Sequence, residues 1–368
     1  MNEESQISIL GLDIGGANTK AALLEFDNGI IIKASSSIEY FPFWEKTIKD
    51  IPEMLSRVTN ALLNQKNLKL DEVKYFAITM TCELSDAFQT KKEGINRTID
   101  ALTQILPRKK LFFISTDEIY LSEKEARENY LKVSAANWVS TALFLGRINP
   151  NCILIDSGST TIDIIPIKEG KPISKGKTDV DRLKHHELIY TGGLRATIPS
   201  ITHEVPYNDK LIKISFEKFA LVSDVHRILN NITESQYIND TADNRTTSLE
   251  DCYSRLARII CADKDMLTIE ELKKIAEYIY EKQLSLIAVE IKSFLNELEL
   301  REPDLVKKPK FVITGLSADY LIKINLQKMG YDDILSYENL TLIPDKISSS
   351  AFAVAGALYY QLQDLRIL

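Results

Sequence analysis

Ile9-Leu10-Gly11-Leu12-Asp13-Ile14-Gly15-Gly16-Ala17-Asn18-Thr19-Lys20-Ala21-Ala22-Leu23-Leu24 reads as an apolar strand ending in Asp-x-Gly, a tight run of small and hydroxyl residues, and a second apolar strand. The same order returns at Cys152-Ile153-Leu154-Ile155-Asp156-Ser157-Gly158-Ser159-Thr160-Thr161-Ile162-Asp163-Ile164-Ile165. One such segment carries little weight, because Asp and Gly punctuate many strands. Two in tandem point to a duplicated α/β chain whose halves face each other across a phosphate-binding cleft.

Outward from the first segment, residues 7–15, 19–26 and 29–40 alternate or run apolar, and Asp27-Asn28-Gly29 supplies a hairpin turn that tolerates positive φ. Apolar residues at helical spacing predict a helix from Trp44 to Leu63. A buried strand (Tyr75 to Thr81), a helix (Ile95 to Leu106), a second buried strand (Leu111 to Ser115) and helices through Arg147 follow. The second half restarts this order, with strands at about 151–157, 160–167 and 171–175 and a turn at Lys168-Glu169-Gly170-Lys171. A mostly helical stretch from Phe216 to Leu298 precedes the strand Phe311-Val312-Ile313-Thr314, a helix at Ala318, a strand Leu340-Thr341-Leu342-Ile343 and a terminal helix from Ser348 to Leu365. Thr233 to Ser248, rich in Thr, Asn and Asp, reads as a plain surface loop or a mobile loop over the site.

The 368 residues suffice for two domains with their own cores, and 45% hydrophobic with 26% charged content is that of a soluble globular protein. A net charge of −7 argues against a nucleic-acid partner. The polar opening Met1 to Gln6 carries no leader pattern, and no apolar run is long enough to cross a bilayer, so no membrane association is expected. Cys82, Cys152, Cys252 and Cys261 lack metal-type pairing and read as reduced thiols of a cytoplasmic protein. Oligomeric state is not legible.

A turn of glycines and hydroxyl residues between strands aims backbone N–H groups at phosphate oxygens. Gly15, Gly16, Asn18 and Thr19 form the first candidate cradle, with Lys20 as counter-charge, and Gly158, Ser159, Thr160 and Thr161 form the second. Asp13 and Asp156 suit Mg²⁺, which is held through one or two carboxylates plus substrate phosphate and water. Hairpin turns with a structural Asp are the competing explanation. In Thr191-Gly192-Gly193-Leu194-Arg195, Gly192 and Gly193 permit close backbone approach and Arg195 suits bidentate phosphate or carboxylate binding; an ordinary loop with a surface Arg competes.

Cys82-Glu83-Leu84-Ser85-Asp86 lies at the carboxyl end of a strand, where ligands of α/β sheets bind. Glu83 and Asp86 are candidates for a general base or for holding a cationic substrate group; a helix N-cap at Ser85 or Asp86 competes. His186, with His203, flanks the Gly-Gly-Leu-Arg loop and is a third candidate for proton transfer. Gly315, ending the strand 311–314, sits where an adenosine would approach, but it is a single glycine, and Ser317 as an N-cap explains the segment equally well. Arg255 and Arg258 read as a cationic edge or a solvated helix face.

The duplicated strand order and paired Asp-x-Gly turns resemble the actin, sugar-kinase and heat-shock-protein ATPase superfamily over essentially the whole chain. Gly11-Leu12-Asp13-Ile14-Gly15-Gly16-Ala17-Asn18-Thr19-Lys20 is similar to its hydantoinase A/oxoprolinase-like branch. Together with it, Thr81-Cys82-Glu83-Leu84-Ser85-Asp86, Ala135-Ala136-Asn137-Trp138, Asp156-Ser157-Gly158-Ser159-Thr160-Thr161-Ile162-Asp163, Thr191-Gly192-Gly193-Leu194-Arg195 and Arg255-Leu256-Ala257-Arg258 narrow the resemblance to a group linked to tetrahydromethanopterin-type one-carbon metabolism in archaea and methylotrophs. The resemblance implies two ribonuclease H-like (actin-like ATPase) domains with mixed five-stranded sheets around a central cleft, at 1–148 and 149–368, the second with a helical insertion at about 216–300. It further implies a transferase of methanofuran biosynthesis that joins the phenol of γ-glutamyltyramine to 5-(aminomethyl)-3-furanmethanol diphosphate and releases pyrophosphate. Its partners would be a small-molecule diphosphate and a phenolic amine. The alternative is an ATP-dependent small-molecule kinase or a hydantoinase/oxoprolinase-type enzyme; ATP is expected only there.

Overall fold

In the computed structural model, which describes residues 6–368, the first apolar segments become three antiparallel strands: β1 (Gln6–Ile14), β2 (Asn18–Asp27) and β3 (Ile30–Tyr40). Residues 1–5, where no leader pattern is read, lie outside the described residues. Asn28 and Gly29 take the positive φ the hairpin requires, 49° and 85°. β4 (Tyr75–Met80) pairs parallel with β1, and β5 (Leu111–Ile114) pairs parallel with β4. A two-residue strand, β6 (Tyr120–Leu121), adds to the five expected, giving the order β3-β2-β1-β4-β5-β6.

One face of this sheet is covered by helices Ile51–Gln65 and Lys91–Ile105, with Leu10, Leu12, Ile14, Met54, Val58 and Ile99 in one buried cluster. Each such side chain contributes roughly 1.5–3 kcal/mol by leaving water. The first of these helices begins at Ile51 and not at Trp44: Pro52 is tolerated only in a first turn, so Trp44 falls in a separate 3₁₀ turn. The opposite face takes the C-terminal helix Ser349–Asp364 over β1 and β2. A Cβ on Gly11 would lie 2.0 Å from the carbonyl oxygen of Ala351, so only glycine lets this helix settle against β1.

The second sheet comprises β7 (Cys152–Ser157), β8 (Ile162–Lys168), β9 (Lys171–Pro172), β10 (Leu188–Ile189) and, after a separate hairpin of β11 (Glu204–Tyr207) and β12 (Lys210–Lys213), β13 (Phe311–Thr314) and β14 (Ile334–Ser336). Its order is β10-β8-β7-β13-β14, with β9 against β8, so it too exceeds five strands. β9 ends early because the Ile173 N–H still donates to the Pro166 carbonyl of β8 at 2.8 Å, but Pro166 has no N–H to return the bond and carry the ladder on. The strand expected at 340–343 is absent. Ser336 accepts a bond from the Asn339 N–H and caps a helix, Tyr337–Thr341, after which Leu342 turns left-handed at φ 60°; β14 takes the sheet position.

The chain divides into two compact units: one takes the chain up to Leu154 with Ile165–Arg182 and Leu335–Leu368, the other Ile155–Ile164 with Leu183–Ile334. A boundary after residue 148 follows strand order, whereas packing follows burial, and the last helix is buried against the first sheet. Among the described residues no helix is long and apolar enough to cross a membrane, and all four cysteines are free thiols.

The 216–300 stretch contains helices Val222–Ile228, Leu249–Arg258 and Ile269–Arg301. Arg255 is neither a cationic edge nor solvated. It is fully buried, and its guanidinium reaches Asp224 at 2.8 Å and Asp243 at 3.0 Å, while Arg258 meets the other oxygen of Asp243 at 2.8 Å. The Tyr237 hydroxyl also donates to Asp224, at 2.9 Å. These bonds tie the polar 233–248 segment to helix 249–258.

Candidate functional site

Ile14 and Thr19 are cross-strand partners, and the residues between them form the first turn. The Gly15 N–H closes it on the Asn18 carbonyl at 3.1 Å. In the second turn the Gly158 N–H closes on the Thr161 carbonyl at 2.9 Å. The two segments are thus alike down to the closing bond. That bond takes up the Gly15 and Gly158 amides expected in the cradles. The donors a turn can offer a phosphate are then Gly16 and Ala17 in one, Ser159 and Thr160 in the other. A Cβ on Gly16 would meet nothing within 4 Å, so room for a ligand exists beside this amide.

Asp13 pairs in register with Lys20 on β2 and Thr79 on β4, so the three share one sheet face. It is 5% exposed. Its Oδ2 accepts from the Ser350 hydroxyl at 2.5 Å, with Lys20 Nζ 3.5 Å away. Oδ1 is buried without a hydrogen-bond partner, as is Oδ1 of Asn18. A buried unpaired acceptor costs about 1–3 kcal/mol, and a hard cation with oxygen ligands would satisfy it. The donor set therefore fits Mg²⁺ at Asp13. Among the described residues no three His, Cys, Asp or Glu side chains converge as a metal cluster. Thr19 is fully buried and shares the face of Ile14, opposite Asp13, so its hydroxyl is not brought beside the carboxylate.

The second turn is held by main chain. Gly192 N–H donates to the Thr160 carbonyl at 2.9 Å and Gly193 N–H to that of Gly158 at 3.0 Å; the Leu194 and Arg195 amides both reach the Ser159 carbonyl, at 3.0 and 3.1 Å. A Cβ on Gly192 would stand 2.7 Å from three backbone atoms of this turn. Gly192 and Gly193 are thus brought to the site with their amides already donated to the turn, which leaves the half-buried Arg195 side chain as what this loop can present to an anion. Below the loop, Gln283 donates to Thr191 Oγ1 and to the Gly192 carbonyl, both at 3.0 Å. Its Oε1 accepts from His226 Nε2 at 3.0 Å, and Asn231 donates to His226 Nδ1 at 3.1 Å. This assignment makes the imidazole neutral, and burial pushes its pKa down to about 4.

Asp156 is half-buried, and Gly315 sits directly beneath it: a Cβ there would be 2.7 Å from Asp156 Oδ1 and 2.4 Å from the Ser157 carbonyl. The chain's own strand fills the space on that side of the glycine. Ser317 is a tie between strands more than a helix cap, since its hydroxyl meets Ser157 Oγ at 2.7 Å and the Gly158 carbonyl at 3.0 Å.

The three candidate bases separate. Glu83 lies two residues beyond Thr81, whose N–H donates to the Ile14 carbonyl at 2.9 Å, so the segment that carries it leaves the sheet beside the first turn. It is 2% exposed, and neither carboxylate oxygen has a hydrogen-bond partner. Burial raises its pKa to about 7; the Glu83 and Ala135 amides and Lys91 oppose the rise from beyond hydrogen-bonding geometry, and Asp179 reinforces it. Asp86 is exposed and caps nothing, because Thr90 caps the following helix. His186 is not brought to the second turn: Ile189 pairs with Ile162 and the Glu187 carbonyl accepts from Ile164, which sets His186 further down β8. There its Nδ1 meets Glu290 at 2.7 Å.

Ser350, Gln283 and His226 had no local signal as site residues. The first two come from helices far along the chain, and their relevance arises only from packing.

The hydantoinase/oxoprolinase family pattern matches residues 74–361. A protein of Methanocaldococcus jannaschii named (4-{4-[2-(gamma-L-glutamylamino)ethyl]phenoxymethyl}furan-2-yl)methanamine synthase is 37% identical over 364 residues, covering 97% of this chain and 99% of that protein. A protein of the same name from Methanococcus vannielii is 34% identical over 174 residues, 47% of this chain and 74% of its own. Among solved structures, nucleotide-free acetone carboxylase superposes with a TM-score of 0.55 at 12% identity, covering 95% of this chain and 70% of that one. This likeness shows the actin-like ATPase fold shared by the two proteins.

Proposed function

The chain belongs to the hydantoinase/oxoprolinase family, and within it we propose that the protein forms an aryl alkyl ether, joining the phenol of γ-glutamyltyramine to the methylene carbon of 5-(aminomethyl)-3-furanmethanol diphosphate with release of pyrophosphate. The observation that carries this reading is the full-length match to the Methanocaldococcus jannaschii protein, whose name describes a phenol and a furan joined through an oxygen and a methylene.

The turn chemistry supports it. Negative charge develops on the leaving diphosphate, and preorganised N–H donors stabilise such charge most effectively where water is excluded. In the first turn Gly16 and Ala17 offer amides for phosphate oxygens with Lys20 as positive charge; in the second, taken by itself, Ser159 and Thr160 offer amides with Arg195 as positive charge. Asp13 is the first candidate to hold Mg²⁺, with Asp156 the corresponding carboxylate of the second turn. When bound, the ion would neutralise pyrophosphate as it departs. The electron-rich furan lets bond breaking run ahead of attack, so the protein's main tasks are charge neutralisation and placement of the phenol.

Incubation with the two substrates tests this directly. Ether and pyrophosphate in equal amounts are expected. ATP hydrolysis with a small-molecule acceptor, and no ether, would overturn it in favour of a kinase or hydantoinase-type activity.

A further inference from the structure

Glu83 is a buried carboxyl group with no hydrogen-bond partner for either oxygen. Its surroundings are built and not incidental. Gly94 leaves room for it, since a Cβ there would stand 2.7 Å from Glu83 Cα. Ala135, whose N–H donates to the Met80 carbonyl at 3.0 Å, holds a left-handed φ of 48°, a strained conformation for a residue with a Cβ. Three residues on, the buried Trp138 Nε1 is another polar atom without a partner. The charged groups facing Glu83 are Lys91 and Asp179, themselves an ion pair at 3.8 Å; their fields oppose one another, and burial is the largest influence on the carboxyl. The neighbouring Cys82 thiol, pushed up to about 12 by burial, does not compete for a proton near neutrality.

We propose that Glu83, on the segment that leaves β4 beside the first turn, accepts the phenol proton as the ether bond forms. The inference rests on the ether-forming reading above. The phenol oxygen bonds to the furan methylene, and the bond from that carbon to the diphosphate oxygen breaks with its electrons leaving on pyrophosphate. The phenol proton passes to a carboxylate oxygen of Glu83, so the step balances without a co-reactant. An unperturbed phenol titrates near ~10, and a base poised close to the working pH is the effective one. Asp86 is exposed to solvent, and His186 lies away from the turn.

The test compares kcat/KM of the wild type, Glu83→Gln and Glu83→Asp on γ-glutamyltyramine and on ring-fluorinated versions with more acidic phenols. Gln mimics the neutral acid, and a melting curve confirms that the variant folds. Glu83→Gln should lose roughly 10²–10⁴-fold on the native phenol, and the loss should shrink steadily as the phenol becomes more acidic. Glu83→Asp should recover part of the rate. Should Gln not fold, the wild-type rate serves: its acidic limb near pH about 7 should flatten with the fluorinated phenols. An equal loss on every phenol, a wild-type rate in Glu83→Gln, or an acidic limb independent of the phenol would each overturn the assignment. Wild-type protein that makes no ether would instead strike the reading beneath it.

Discussion

Ser350 donates its hydroxyl to Oδ2 of Asp13 across 337 positions of sequence, from the first turn of the last helix to the end of the first strand. The contact exists because Gly11 lets that helix approach β1 to backbone distance. A carboxylate at the candidate site is therefore oriented by a residue from the far end of the chain, and its second oxygen is left for a ligand.

Ser350→Ala should destabilise the protein by about 1–3 kcal/mol, because it removes a hydrogen bond to a buried carboxylate. Turnover should fall with it, since Asp13 would keep only Lys20 as a partner. Thermal melts and steady-state rates check both. Asp13→Asn, which retains volume, should abolish turnover with a smaller effect on folding; unchanged activity would reject a direct role.

Gly192→Ala places a methyl 2.7 Å from three backbone atoms of the second turn. None of those atoms yields without moving the turn, so overpacking of about 1–3 kcal/mol is expected. Pyrophosphate inhibition should weaken, and the KM for the phenol should change less. Gln283→Leu should act in the same direction through the Thr191 and Gly192 bonds it removes.

The Glu83 carboxyl titrates at about 7, against an ordinary 4.5. A raised native pKa means that the folded chain holds this proton more tightly than the unfolded one. Its stabilising effect is complete below the unfolded value and is lost as pH rises through the native value, a change on the order of 3 kcal/mol. Glu83→Gln removes that titration. Denaturant melts across pH about 4 to 8 should show a flatter stability profile, with the variant more stable than wild type at the alkaline end.

Arg255→Ala strips the fully buried Asp224 of its guanidinium partner, and breaking a buried pair in this way should cost about 3–5 kcal/mol. Arg255→Lys should rescue little, because a single ammonium cannot reproduce the bonds to both Asp224 and Asp243. Proteolysis within 233–248 should accelerate in either variant.

Much of the architecture was legible. The twin turns, β1 to β5 and β13 stand close to where periodicity and turn residues put them. The misreadings have physical causes. Leu340-Thr341-Leu342-Ile343 is a short apolar run of the kind that periodicity alone leaves ambiguous, and a Ser336 cap decided it. Arg255 looked solvated because its partners, Asp224 and Asp243, lie 31 and 12 residues away. Gly15, Gly158, Gly192 and Gly193 looked alike as amide donors, but their N–H groups bond to the turns' own carbonyls. Strand register sent Thr19 and His186 away from places that sequence adjacency had suggested.

The two turns share a closing bond yet differ in what holds them. Four backbone amides brace the second, so most side chains in the 192–195 loop can drift over evolutionary time while the brace survives, provided the glycines stay. Two backbone amides brace the first, from Phe41 to the Ala17 carbonyl at 2.8 Å and from Phe43 to the Gly16 carbonyl at 3.0 Å, but its carboxylate, Asp13, leans on individual side chains, Ser350 and Lys20, which a single codon change removes. New specificities in this lineage should therefore arise more readily by substitution around the first turn, with the second inherited as a fixed mould.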